Sequence, residues 1–144
     1  GPQATMLEGI MGANIAGSEP YPGVGSAPHR TGASCVSCHM GESADINQGL
    51  HSWNPKDAAC ITCHPGGAPD EINGFSADMA TLEALLAANN MFDVDGYYVP
   101  GVYSAKLAQA AWNYRTLLED QSKGVHNPAY TRALLKNSIE ALQN

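Results

Sequence analysis

The chain has 144 residues and a formal net charge of −7, which suits one domain and argues against a nucleic-acid partner, whose phosphates need a basic face. Only two Phe and two Trp are present, so bulky apolar side chains are scarce for an interior. No run of about 18 apolar residues occurs, so no membrane span is encoded. No signal peptide is visible and Gly1-Pro2 reads as the remnant of a cleaved tag, so the expectation is a mature protein or an excised domain.

Residues 1–28 read as a loop-rich lead. Leu7, Ile10 and Met11 fall at helical spacing, but Gly9 and Gly12 weaken a helix there. Ser18 to Pro28 reads SEPYPGVGSAP, a Pro/Gly loop that either wraps the edge of a bound group or links to a part of the protein beyond this sequence.

The 36 residues from His29 to His64 hold all four cysteines and four of the five histidines, and residues 29–66 form the chemically informative segment. They contain Cys35-Val36-Ser37-Cys38-His39 and Cys60-Ile61-Thr62-Cys63-His64. Two copies of C-x-x-C-H are the pattern for covalent attachment of c-type haem, with two thiols bonding the vinyl groups and the histidine beneath the iron. Zinc competes for the same cysteines, because C-x2-C pairs about 15 to 20 residues apart form a ribbon site and the gap here is 21. Redox dithiols and structural disulfides compete as well, but no β-α-β pattern surrounds the pairs. The histidine after each pair separates these readings, since none of the rivals requires it. The expectation is two haem c groups, which would also supply the apolar bulk that the side chains lack. Attachment of this kind implies export to the bacterial periplasm or the outer cell surface.

Proximal His39 and His64 leave two sixth positions to fill, and His29, His51 and His126 are candidates as a set. Met6, Met11, Met40, Met79 and Met91 are the alternative ligands; Met40 follows His39 directly and lies on the wrong side of that haem. Histidine is favoured at both positions, giving six-coordinate irons. The intervening GESADINQGLHSWNPKDAA is broken by Gly41, Gly49 and Pro55, with short helical turns expected to lead into each motif. Trp53, close to His51, reads as packing against a haem more than as an electron relay.

The remainder, 76–142, reads as helical. Ser76 is a candidate N-cap for a helix to about Asn89 with Met79, Leu82, Leu85 and Leu86 on one face. A turn follows at Asp95-Gly96, where a calcium loop would need ligands that are missing. A second helix is predicted from about Tyr103 to Gln121 with Leu107, Ala111, Tyr114 and Leu118 inward, stopping near Lys123-Gly124. Asn127 can cap and Pro128 can open a last helix to about Leu142, with Tyr130, Leu134 and Leu142 inward. His126 then sits in the elbow between two helices, either as a distal ligand held about 2 Å from an iron or as an exposed loop residue. The fold class expected is mainly α: an irregular haem-wrapping N-terminal half followed by about three C-terminal helices.

The succession HRTGASCVSCHM, GLHSWNP, CITCH and AWNYRTLLEDQSKGVHNPAYTRALL resembles the C-terminal part of the pentahaem cytochrome c nitrite reductases and related octahaem cytochromes. The resemblance covers Pro28 to the end. It implies that His39 pairs with His126 on the first haem and His64 with His29 on the second. It also implies that the counterpart of His51 reaches a haem bound upstream, which this sequence lacks. His51 is then an orphan, a substitute for His29, or a ligand donated to a neighbouring domain or subunit, as in filamentous multihaem cytochromes.

The nitrite chemistry of that family uses a haem attached through C-x-x-C-K, and neither Lys56 nor Lys123 follows a C-x-x-C. The function expected is therefore outer-sphere electron transfer between two closed, low-potential haems and redox protein partners, not enzymatic catalysis. The alternatives are the electron-transfer module of a larger multihaem oxidoreductase, a haem-based sensor, or a homo-oligomeric filament subunit.

Overall fold

In a computed structural model of the chain, residues 1–40, 53, 55 and 57–144 are described. Among them seven helices follow one another: α1 (Pro2–Glu8), α2 (Pro28–Thr31), α3 (Cys35–His39), α4 (Asp57–Cys60), α5 (Phe75–Ala88), α6 (Ala105–Asp120) and α7 (Pro128–Gln143). Among the described residues there is no strand, only an isolated antiparallel bridge between Phe92 and Tyr98, so the fold is mainly α. Among them, too, no helix is long and apolar enough to cross a membrane.

The core lies where α5, α6 and α7 pack on one another, with α1 laid against α6. α7 is central: Tyr130, Thr131, Ala133, Leu134, Leu135, Asn137, Ser138 and Ile139 are all buried, as befits a helix with neighbours on most sides. Its start follows from local chemistry. The Asn127 side chain accepts from the Tyr130 backbone N–H at 3.2 Å and Pro128 opens the first turn, a cap contributing about 1 kcal/mol. Ser104 does the same for α6, accepting from Leu107 N–H at 3.3 Å.

Two sequence expectations are corrected here. The N-cap of α5 is Gly74, in the left-handed region, and Ser76 lies inside the first turn, where its hydroxyl bonds the Glu71 carboxylate. An earlier start buries Ile72 and Phe75, which outweighs a Ser cap. On α6 the inward residue is Leu117, 2% exposed, while Leu118 is 45% exposed. Adjacent leucines satisfy a helical period almost equally, and contact with α1, α5 and α7 selects between them.

The leading segment is more structured than its glycines suggest. α1 begins at Pro2 and closes on Gly9 at φ 76°, and Met6 at its centre is fully buried. Residues 12–19 are then strapped to α6 and α7 by side-chain amides that imitate a neighbouring strand. Asn113 accepts from Ala13 N–H at 2.7 Å and donates to Ala13 C=O at 2.9 Å. Asn137 does likewise with Glu19, at 3.0 and 2.9 Å. Tyr130 Oη accepts from Gly12 N–H at 2.9 Å. A Cβ on Gly12 would run into Leu134, so this glycine is there for close approach.

The segment joining this core to itself is built differently. Between Pro28 and Glu71, not one described residue is buried. Among its described residues, the motif-bearing part of the chain therefore has no apolar side-chain core of its own.

Candidate functional site

Each cysteine motif is shaped by a short helical turn. Ser34 is extended and α3 then carries Cys35, Cys38 and His39, so that positions i, i+3 and i+4 share one helical face. In the second motif α4 ends on Cys60, and the turn is continued by Cys63 N–H and His64 N–H, both donating to Cys60 C=O at 3.1 and 2.8 Å. α3 and α4 lie side by side. None of the four cysteines is paired in a disulfide. The Cys38 thiol is pushed up by burial first and then by the charges of Cys60, Cys35 and Cys63, which places the four sulfurs in one neighbourhood. Among the described residues, however, no three His, Cys, Asp or Glu side chains converge as ligands of one bare metal ion.

The four described histidines are arranged in twos. His39 and His126, 87 positions apart in sequence, bring their ring centroids to 6.3 Å with planes at 44°. His29 and His64 bring theirs to 6.2 Å at 67°. Metal–imidazole bonds of about 2.0 Å, with about 1.1 Å more from each nitrogen to its ring centre, separate two trans imidazoles on one metal by about 6.2 Å between centroids. Both pairs have that spacing.

His29 and His126 are both oriented by the elbow between α6 and α7. Gln121 at φ 59°, Lys123 at φ 51° and Gly124 at φ 88° turn the chain tightly, so α6 ends at Asp120 with Gln121 as its C-cap, within a residue of the predicted end. A Cβ on Gly124 would come within 2.8 Å of Ile72 Cγ1, and Ile72 N–H donates to Lys123 C=O at 3.1 Å. The elbow is thereby docked onto the chain that leaves the second motif. Asp120, 2% exposed in its side chain, accepts from His126 Nδ1 at 2.7 Å and from the Ser122 hydroxyl. Ser122 Oγ accepts in turn from His126 N–H at 3.2 Å. His29 Nδ1 lies 2.6 Å from Val125 C=O; a carbonyl only accepts, so this nitrogen carries the proton and Nε2 keeps its lone pair. An imidazole whose outer nitrogen is anchored in this manner is the usual form of a metal-bound histidine.

The other candidates are placed differently. Met6 and Met91 belong to the hydrophobic core and Met79, partly buried, packs against it, while Met11 and Met40 are exposed. Trp53 is 77% exposed. His51 lies outside the described residues. Asp93 accepts from the N–H groups of Asp95 and Tyr97 at 3.0 and 2.8 Å, which is a turn-forming role.

Two contributors escaped sequence reading: Asp120 and the Val125 carbonyl. Asp120 did leave a signal, because Glu119 and Asp120 put two acids at the C-terminus of a helix, against its dipole. A broken local rule of this kind often marks a site. A backbone carbonyl leaves none.

No family model, curated protein or solved structure matches the chain.

Proposed function

We propose that this chain would hold two covalently bound c-type haems, one through Cys35 and Cys38 with His39 and His126, the other through Cys60 and Cys63 with His64 and His29. The observation that carries the proposal is the pairing of four histidines, each C-x-x-C-H histidine facing a second imidazole at about 6.2 Å, the span of two ligands across one iron. The chemistry of the donors fits the group: two thiols and one histidine per motif, with the outer nitrogens of both distal imidazoles hydrogen-bonded. The unburied stretch from Pro28 to Glu71 is likewise suited to folding around flat apolar groups.

When bound, each haem supplies a one-electron Fe(III)/Fe(II) couple. What the side chains contribute is positional. His39 and His64 are held next to their cysteines by helical turns, and His126 and His29 are held by the elbow. Two histidines committed to each haem would leave no position for substrate, so the function proposed is outer-sphere electron transfer between redox protein partners. The order of motifs, similar to that of the C-terminal part of the nitrite reductase and octahaem cytochromes, supports an exported, periplasmic or extracellular carrier.

The test is a pyridine haemochrome assay on protein matured in a bacterium that attaches haem c. Two haems per chain that resist acid–organic extraction are expected. Fewer than two, or extractable haem, refutes the proposal.

A further inference from the structure

The two distal histidines are not anchored alike. His126 donates a hydrogen bond from Nδ1–H to a carboxylate that is itself held by Ser122 and shielded from water. His29 donates a hydrogen bond from Nδ1–H to a neutral backbone carbonyl. Hydrogen bonds to charged acceptors are roughly twice as strong as those between neutral groups, and a stronger pull on the outer proton makes the opposite nitrogen a better electron donor.

We infer that Asp120 is a positioning residue that makes the two irons unequal: acting through His126, it stabilises Fe(III) at the His39/His126 site relative to the His29/His64 site. The inference rests on the bis-histidine reading above and adds to it a direction. Each event is the transfer of one electron to Fe(III), giving Fe(II), from an external one-electron donor protein; no bond forms, and the Nδ1 proton stays on the imidazole. The His39/His126 site is then the last to be reduced and the first to give its electron up, so an electron resting on the pair resides at His29/His64.

Asp120→Asn keeps the shape of the side chain and removes its charge. In a potentiometric titration of the holoprotein, the Fe(III)/Fe(II) ratio at the affected haem should fall about tenfold at a fixed potential, the factor separating a charge-assisted from a neutral hydrogen bond, while the other haem is unmoved. EPR followed during the titration identifies the sites, since His126→Ala removes the low-spin signal of one haem only. If both haems of Asp120→Asn titrate as in the wild type, or both move equally, the inference is wrong. Wild-type protein provides an independent check should the variant not fold: the signal assigned to His126 must be the last to disappear on reduction, and its disappearing first overturns the inference. Fewer than two haems, or no bis-histidine signals in the wild type, would instead overturn the ligation on which the inference stands.

Discussion

His29 and Val125 are joined by a 2.6 Å hydrogen bond across 96 positions of sequence, and the residue after Val125 is His126. One peptide unit of the α6–α7 elbow therefore orients the distal ligand of one proposed haem and carries that of the other.

A substitution in the elbow that touches no ligand should disturb both sites together. Gly124→Val places a branched side chain at φ 88° and into Ile72. Left-handed strain in a β-branched residue costs about 1–3 kcal/mol. Urea denaturation should show a loss of that order, and the visible spectrum should report both haems altered, not one.

Removing the distal ligands one at a time should open one iron at a time. In His126→Ala, CO should bind half of the reduced haem, and in His29→Ala the other half, while the reduced wild type leaves its spectrum unchanged under CO. Binding of CO to the unmodified protein would place an open site in the chain and favour a sensor.

The leading segment should behave as part of the core. Asn113 is fully buried and bonds Ala13 twice and Ser138 once. Asn113→Ala leaves buried partners unsatisfied, at a cost of about 2–4 kcal/mol. Urea denaturation measures it, and limited proteolysis should cut near Ala13 faster than in the wild type.

Alkaline stability should depend on Tyr114. Burial, and then the charge and hydrogen bond of Glu83, push its phenol up to about 12. An unfolded tyrosine titrates near 10, so above that pH the unfolded state loses its proton first and is favoured. The stability contributed is complete below about pH 10 and is lost as pH rises towards 12. Tyr114→Phe should flatten that decline between pH 9 and pH 12, as followed by urea midpoints; an unchanged slope would remove Tyr114 as its source.

What could be read from the sequence was what depends on near neighbours. The C-x-x-C-H spacing, the Asn127-Pro128 helix start and the turn at Asp95-Gly96 are all local patterns, and each element stands where its pattern put it. The lead was misjudged for the opposite reason. Gly9 and Gly12 weaken a helix locally, but Gly9 ends α1 and Gly12 admits Leu134, and the amides that strap the segment belong to Asn113 and Asn137, 100 and 118 positions away. Leu117 against Leu118 was undecidable by period alone and is settled by which helices surround α6. The histidine pairing came from the resemblance of motif order, while its spacing, and the part played by Asp120, needed coordinates.

The measurement closest to the central claim is low-temperature EPR of the oxidised holoprotein. Two low-spin ferric signals of bis-imidazole type are predicted, and the His29/His64 signal should be the more anisotropic because its rings cross at 67° against 44° for His39/His126. A high-spin signal, or a thioether-ligated one, would contradict the account.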